Sequence, residues 1–335
     1  MSHTLILRAR KAVVALSAIA TLSLAQVSHA AFSQVVTFGD SLSDAGNVFL
    51  ATSGATPPAP YFGGRFSNGL IWTENLATSL GLAAPTPSLA GGTANNFGGA
   101  RTLVDGAVPS TATQAAGYIA GNSGAIDPNA LYTVWSGGND VNYGSANNDL
   151  SVVPAAANGV AAIVQDLIDA GAQSIMVVNL PDIGLTPLGQ DSGNPAGATF
   201  LSTFFNSTLD TALAGLTLGS ANVELLDAFS LTANIAATVL ADPNPLTNGT
   251  GLSNVTDRCF DAAAVGGPTL CSNPDEYLFW DDLHPTAAAH ILVADEALIV
   301  ANTLMAAAVP VPAAAWMFLS ALGVIGGLKS RAKTA

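Results

Sequence analysis

The sequence predicts an α/β domain in which a parallel sheet is covered by helices on both faces. Short apolar runs recur along the chain, and helical patterns lie between them. The body of the chain, residues 31 to 308, is long enough for one large core. The runs are typical of buried strands and span Val35 to Phe38, Leu131 to Trp135, Ile175 to Leu180 and Val223 to Leu226. Strands that alternate with helices favour parallel pairing.

The clearest helical pattern lies between the second and third runs. Val160, Ile163, Val164, Leu167 and Ile168 follow the i, i+3, i+4, i+7, i+8 spacing of a buried helix face. The glycine at position 171 then predicts the end of the helix.

Long polar or Pro/Gly-rich segments separate several of these elements. They span Ala51 to Gly64, Pro181 to Ala198 and Ala241 to Pro274. Loops of this length are uncommon in compact domains unless they shape a site. Because ligands of a doubly wound sheet bind beyond the carboxyl ends of its strands, we expect a site at that edge.

The first apolar run ends at Gly39-Asp40-Ser41, which predicts a strand that delivers a serine onto a tight turn. At the carboxyl end of a strand, the Ser41 hydroxyl can face a cleft and act as a nucleophile. The same residue types also form ordinary turns and helix N-caps. We interpret the flanking Asp40 and Asp44 as residues that stabilise the turn.

A serine nucleophile needs a base, and the body offers only two histidines, His284 and His290. His284 precedes a helical stretch, with Pro285 suited to the first helical position. Asp281, three residues earlier, can hold one ring nitrogen protonated and leave the other free to accept the serine proton. We interpret His290 as an ordinary helix residue.

An ester hydrolase must also stabilise the negative oxygen of its tetrahedral intermediate. Two Gly-rich stretches offer donors at turns: Asn96-Phe97-Gly98-Gly99-Ala100 and Ser136-Gly137-Gly138-Asn139-Asp140. Taken separately, each is more typical of an ordinary Gly-rich turn.

The order of these motifs carries a specific resemblance. Gly-Asp-Ser-Leu, Asn-Phe-Gly-Gly-Ala, Gly-Gly-Asn-Asp, Asn179-Leu180-Pro181-Asp182-Ile183-Gly184 and Asp-x-x-His-Pro follow one another between residue 35 and about residue 305. This series resembles the GDSL family of the SGNH hydrolases. The chain has no Gly-x-Ser-x-Gly, His-Glu-x-x-His or Gly-Lys phosphate-loop motif.

The resemblance implies a three-layer α/β/α, flavodoxin-like fold and hydrolysis of carboxylic esters without a cofactor. It implies Ser41 as nucleophile, Asp281 and His284 as the base pair, and Gly99 and Asn139, with the Ser41 backbone N–H, as oxyanion donors. The second motif is one residue shorter than the commoner Asn-Phe-Ala-x-Gly-Gly-Ala form. Gly98 could therefore hold the role given to Gly99.

Residues 1 to 30 predict a signal peptide. Arg8, Arg10 and Lys11 precede an apolar stretch, and Ser28-His29-Ala30 suits cleavage after Ala30. A membrane-anchoring helix is the alternative, although the stretch is short for a span. The predicted hydrolase domain then covers residues 31 to 308.

Residues 309 to 335 predict a second targeting signal. Val-Pro-Val-Pro precedes an apolar run from Ala313 to Leu328 and a basic end at Lys329, Arg331 and Lys333, which the positive-inside rule leaves in the cytoplasm. This tail resembles the PEP-CTERM sorting signal of Gram-negative bacteria, which an exosortase cuts. Because the usual motif is Val-Pro-Glu-Pro, a plain C-terminal membrane anchor remains the alternative.

Without both ends, the body is strongly acidic. Residues 31 to 328 hold three arginines against 23 acidic residues, a formal net charge of −20. Such a surface repels nucleic acid and anionic membranes, which excludes both as expected partners of the body. Cys259 and Cys271 predict a disulfide in an exported protein, and no Cys or His cluster accompanies them to suggest a metal site.

The sequence therefore predicts an exported serine esterase or lipase that is extracellular or at the cell surface of a Gram-negative bacterium, with a small-molecule, lipid or acylated-glycan ester as substrate and an exosortase-like peptidase as partner. Two alternatives remain: a polysaccharide O-deacetylase, and a non-catalytic surface or matrix protein on the same scaffold. The acyl chain, the alcohol and the oligomeric state stay open at this point.

Overall fold

A parallel sheet of four strands forms the centre of the fold. The computed structural model describes residues 32 to 307, with side chains through Met305, so the predicted signal peptide and C-terminal segment lie outside the described residues. The strands are β1 (Val35–Gly39), β2 (Leu131–Trp135), β3 (Ser174–Val178) and β4 (Asn222–Leu226), hydrogen-bonded in that order. Each overlaps one predicted run.

The third strand ends two residues earlier than its apolar run predicts. The Leu180 N–H donates to Asn206 Oδ1 and its carbonyl accepts from Asn206 Nδ2, both at 2.9 Å. Because this side chain satisfies both backbone groups of Leu180, the residue leaves the sheet and the chain turns away.

A short extended segment continues the sheet beyond β1. The Thr37 N–H donates to the Thr93 carbonyl, and the N–H groups of Asn95 and Phe97 donate to the carbonyls of Thr37 and Gly39. This segment follows β1 in the chain but lies on its outer edge, with β2 on the other side. If this segment is counted as the second strand along the chain, the order across the sheet becomes 2-1-3-4-5, which is the order of flavodoxin-like sheets.

Nine α-helices are described between residues 32 and 307. The predicted helix that precedes Gly171 is the fifth of these; it begins eight residues before the predicted apolar pattern, and Gly171 follows its end with φ +115°. The helices are α1 (Asn47–Ala51), α2 (Trp72–Ser79), α3 (Thr111–Gly121), α4 (Gly138–Asn147), α5 (Val152–Asp169), α6 (Pro187–Asp191), α7 (Pro195–Leu213), α8 (Ala228–Ala241) and α9 (Ala287–Ala307).

Helices cover both faces of the sheet. Side chains from β1 to β3 that include Val36, Phe38 and Tyr132 pack with α3, α5 and α7, whereas the alternate ones, including Val35 and Leu131, pack with α2 and α9. Helices α5 and α9 are long and apolar enough to cross a membrane by composition, but their apolar residues contribute to these two cores. The predicted three-layer α/β/α class is confirmed.

Two small strand pairs lie outside the main sheet. β5 (Asn254–Arg258) pairs in parallel with β8 (Tyr277–Phe279), and β6 (Phe260–Asp261) pairs antiparallel with β7 (Thr269–Leu270). The predicted disulfide between Cys259 and Cys271 is present and closes the loop that holds β6 and β7. The turn that follows β8 carries Asp281 and His284.

Candidate active site

Ser41 lies on the turn that follows β1, at the carboxyl edge of the sheet. Gly39, with φ +146°, makes this turn possible, because a Cβ there would come within 2.0 Å of the Trp135 carbonyl oxygen on β2. The Ser43 N–H closes the turn on the Asp40 carbonyl at 3.1 Å, and the Leu42 N–H donates to Asp40 Oδ1 at 3.0 Å. Ser41 is held where only 7% of it is exposed.

A chain of hydrogen bonds joins Ser41, His284 and Asp281. Ser41 Oγ lies 2.8 Å from His284 Nε2, and His284 Nδ1 lies 2.7 Å from Asp281 Oδ2 and 3.0 Å from Oδ1. With the proton on Nδ1, which donates to the carboxylate, Nε2 can accept the serine proton. The structure thus joins residues that are 243 positions apart in the chain.

The Asp281 carboxylate is held by four donors. Oδ1 accepts from the backbone N–H groups of Leu283 and His284, at 2.8 and 2.7 Å, and Oδ2 accepts from the Tyr61 hydroxyl at 2.6 Å as well as from the imidazole. Burial would raise the pKa of Asp281, but the charge of His284 and these hydrogen bonds outweigh it and lower the pKa to about 2. Asp281 is therefore ionised at neutral pH.

The neighbouring acid and the second histidine have other contacts. Asp282 pairs with Arg258, which also pairs with Asp191 on α6. His290 is buried in α9, where its Nδ1 accepts from the Trp72 N–H at 3.3 Å, and burial lowers its pKa to about 3. His290 is therefore neutral and accepts a hydrogen bond from the first residue of α2.

Two of the predicted oxyanion donors, Ser41 and Asn139, line the same pocket. Asn139 lies at the start of α4 and donates one amide hydrogen to the Ala100 carbonyl at 2.9 Å, which leaves its second amide hydrogen available. Among the described residues, the N–H groups of Ser41 and Gly99 have no hydrogen-bond acceptor. The N–H of Gly98, in contrast, donates to Asp44 Oδ2 at 2.8 Å, so this geometry favours Gly99 over Gly98 as a donor.

Asp44 stabilises the turn after β1, as predicted, and also links it to the Asn-Phe-Gly-Gly-Ala motif. Its carboxylate accepts from the N–H groups of Gly46, Asn47 and Val48 at the start of α1, and from Gly98. Burial nevertheless raises the pKa of Asp44, because these donors offset only part of the lost solvation.

Asp140 links the residues that follow the Asn-Phe-Gly-Gly-Ala motif to the Gly-Gly-Asn-Asp motif by hydrogen bonds. Its carboxylate accepts from Arg101 Nε at 3.1 Å and from the Thr102 N–H and hydroxyl at 2.8 and 2.9 Å. The stretch that carries Gly99 is thereby fixed to the helix that carries Asn139.

Two residues of the site have no signal in the sequence pattern. Tyr61, which bonds Asp281, lies in the loop predicted at Ala51 to Gly64. Phe66 packs against the His284 ring with a centroid distance of 5.3 Å, and it fills the space where a side chain at Gly98 would lie. Only the aromatic content of this stretch could have drawn attention to them.

A largely apolar pocket opens beside Ser41. Its wall comes from the segment after β3, from α8, from β8 and the turn after it, and from α9, and Asn139 and Asp40 also line it. Burial raises the pKa of Asp40 to about 6, although the Leu42 N–H and the nearby His284 partly offset the effect. Within residues 32 to 305, no three His, Cys, Asp or Glu side chains are grouped as a metal site.

Comparison with known proteins agrees with this arrangement. A family model described as GDSL-like Lipase/Acylhydrolase matches residues 35–297. The chain belongs to this family. This GDSL hydrolase is 30% identical over 288 residues to a thermolabile hemolysin of Vibrio parahaemolyticus, 26% over 319 residues to a phosphatidylcholine-sterol acyltransferase of Aeromonas hydrophila, and 32% over 326 residues to the esterase EstA of Pseudomonas aeruginosa.

The matched regions cover 81%, 81% and 86% of this GDSL hydrolase, but 64%, 90% and 50% of the three relatives. The chain therefore spans less than two thirds of the hemolysin and half of the esterase. The predicted family and its class, the carboxylic ester hydrolases, are confirmed.

Proposed function

We propose that this protein is an exported serine esterase that hydrolyses carboxylic esters through an acyl-serine intermediate. The observation that carries the proposal is the hydrogen-bond chain from Ser41 through His284 to Asp281, at 2.8 and 2.7 Å, beside an apolar pocket. Such a chain lets an imidazole activate a serine hydroxyl, while a buried carboxylate keeps the ring in the required tautomer.

In the first half of the reaction, Ser41 Oγ attacks the ester carbonyl carbon and its proton passes to His284 Nε2. The imidazolium formed is stabilised by the ionised Asp281, which bonds the opposite ring nitrogen. His284 then protonates the alkoxy oxygen as the carbon–oxygen bond breaks, and the alcohol leaves. The acyl group remains on Ser41.

In the second half, water takes the place of the alcohol. His284 accepts a proton from the water as its oxygen attacks the acyl carbon, and then returns the proton to Ser41 Oγ as the acid departs. Both tetrahedral intermediates carry a negative oxygen. We assign its stabilisation to the N–H groups of Ser41 and Gly99 and to the free amide hydrogen of Asn139, since none of these three donors has another acceptor among the described residues.

Ester turnover by matched variants tests this proposal. Ser41→Ala removes the nucleophile and should reduce hydrolysis of p-nitrophenyl esters by several orders of magnitude without loss of folding. Ser207→Ala, on the exposed face of α7, removes a hydroxyl that bonds only its own helix and should keep full turnover. Equal rates for both variants would exclude Ser41 as the nucleophile.

We further propose that residues 1 to 30 direct export, that residues 31 to 308 form the hydrolase domain, and that residues 309 to 335 are a sorting signal or anchor at the cell surface. The disulfide and the acidic body support an extracellular setting. Mass spectrometry of the protein recovered from its native host should find an N-terminus at residue 31. It should also tell whether an exosortase-like peptidase removes the C-terminal run or leaves it as an anchor.

The alternative is a non-catalytic surface or matrix protein on the same scaffold, in which Ser41, His284 and Asp281 are hydrogen-bonded but catalyse no reaction. Such a protein would fold normally, bind its ligand and fail to turn over any ester. The same assay on acyl and acetylated-glycan esters therefore separates an active esterase, an O-deacetylase and an inactive scaffold.

A further inference from the structure

The wall of the pocket beside Ser41 is chemically suited to an aliphatic chain. Apolar side chains form most of it, among them Leu180, Ile183, Leu231, Ile235, Phe279 and Val293. The two threonines in the wall have their hydroxyl hydrogens engaged: Thr186 donates to the Ile183 carbonyl at 2.7 Å, and Thr232 donates to the Ala228 carbonyl at 2.8 Å.

A sugar ring would fit this wall poorly. Its hydroxyl groups would lose their water on entering and find few partners, and unpaired buried hydroxyls are strongly disfavoured. An acyl chain gains from the same burial, because each methylene removed from water favours binding by roughly fourfold. The pocket therefore suits the acyl side of the ester.

The size of the pocket limits the chain. Its cavity volume is about 70 Å³. Since this space is small and walled mostly by apolar side chains, it can take a short or medium-length acyl chain but not a long one. We propose that this pocket binds the acyl chain and selects short and medium-length chains over long ones; this inference rests on the proposed esterase function.

A chain-length series tests the selection. We expect kcat/KM for p-nitrophenyl esters, used below their solubility limits, to rise from acetate to a maximum at a longer chain of short or medium length. It should fall at least tenfold by about twelve carbons. A maximum at acetate, or equal rates at every length, would overturn the pocket assignment while leaving the esterase intact. No turnover of any ester by the folded protein would overturn both proposals.

Variants of α8 locate the selection in the pocket. Thr232→Phe narrows the pocket and should move the optimum at least two carbons shorter, whereas Leu231→Ala widens it and should move the optimum longer. Thr238→Phe makes the same change on the exposed side of the same helix and should leave the optimum in place. If Thr232→Phe fails to fold, Leu231→Ala still decides; an unmoved optimum in the folded variants overturns the proposal.

A separate observation concerns Tyr61. Its hydroxyl donates to Asp281 Oδ2 at 2.6 Å, and this is the oxygen that lies nearest to His284 Nδ1. Its ring is enclosed edge-on by the rings of Phe66, Phe260 and Trp280, with centroid distances of 6.3, 5.7 and 6.1 Å. The hydroxyl is therefore presented to the carboxylate from a fixed direction.

The two oxygens of Asp281 are secured differently. Oδ1 has two backbone donors from its own turn, whereas among residues 32 to 305 Oδ2 has only the Tyr61 hydroxyl and the imidazole itself. Without the hydroxyl, the imidazole would be the one remaining donor to Oδ2 in the part of the chain that the structure describes. We infer that Tyr61 is a positioning residue, which sets the carboxylate plane and through it the direction of His284 Nε2 toward Ser41.

Removal of a single hydroxyl tests this role. Tyr61→Phe keeps the ring packing, so we expect kcat to fall about tenfold while KM changes less than twofold and Tm stays within 2 °C. Tyr277→Phe is the matched control, because Tyr277 belongs to the same aromatic cluster and its hydroxyl bonds no described residue. A kcat for Tyr61→Phe within twofold of the parent, or a loss shared equally by Tyr277→Phe, would overturn the inference.

Discussion

Replacing Asp40 with asparagine should stabilise the protein at neutral pH. Asp40 is almost fully buried beside Ser41, and burial raises its pKa from 3.8 to about 6. Asparagine has nearly the same shape and keeps the oxygen that accepts the Leu42 N–H at 3.0 Å. The substitution therefore removes a buried charge with little change in packing.

The magnitude follows from linkage between protonation and folding. Between pH 4 and 6 the native state keeps the Asp40 proton while the unfolded state releases it, so stability falls as pH rises through this window. The Asp40 pKa differs by roughly two units between the native and unfolded states, which corresponds to about 3 kcal/mol of unfolding free energy. Above pH 6 the native protein has lost all of this stabilisation. Asp40→Asn should not differ from the parent through this effect at pH 4 and should gain up to about 3 kcal/mol at pH 7.

Urea denaturation of both proteins at pH 4, 5, 6, 7 and 8 measures this difference. Asp210→Asn, on the exposed side of α7, is the matched control, and its free energy of unfolding should follow that of the parent. The reasoning would be refuted if Asp40→Asn were no more stable than the parent at pH 7, or if its gain were the same at every pH.

Three further predictions concern the site and its support. Asn139→Ala should lower kcat roughly 100-fold or more, about 3 kcal/mol, because it removes an oxyanion donor; full turnover would remove Asn139 from the oxyanion site. Asp281→Asn should lower kcat/KM by about three orders of magnitude, whereas Asp282→Asn should change it only a few-fold, since Asp282 pairs with Arg258. Equal losses would contradict the assignment of Asp281 as the carboxylate that orients His284. Serine at both Cys259 and Cys271 should lower the free energy of unfolding in urea by about 3 kcal/mol, and an unchanged midpoint would contradict this.

The strands and the hydrogen-bonded trio were accessible from the sequence because their signals are local or ordered. β1, β2 and β3 are short apolar runs that the two cores bury, β4 is half-buried beside them, and Ser41 follows β1 directly. Asp281 lies three residues before His284, close enough for one turn to join them. The order of the motifs along the chain supplied what no single motif could.

Other features depend on contacts between distant residues. Tyr61 meets Asp281 across 220 positions, and its direction is set by aromatic packing that leaves no periodic pattern. The end of β3 depends on an asparagine side chain of α7. The choice between Gly98 and Gly99 rests on Asp44, which takes one of the two N–H groups, and the sequence alone contains no information about which.

Labelling with a fluorophosphonate probe tests the central claim most directly, because the probe reacts with a serine that its own site activates. We expect intact mass spectrometry to find one adduct and peptide mapping to place it on Ser41. His284→Ala, folded to the same extent, should react at least 100-fold more slowly. An intact folded protein that forms no adduct, an adduct on another serine, or equal labelling of the parent and His284→Ala would contradict the proposal that Ser41 is an activated nucleophile.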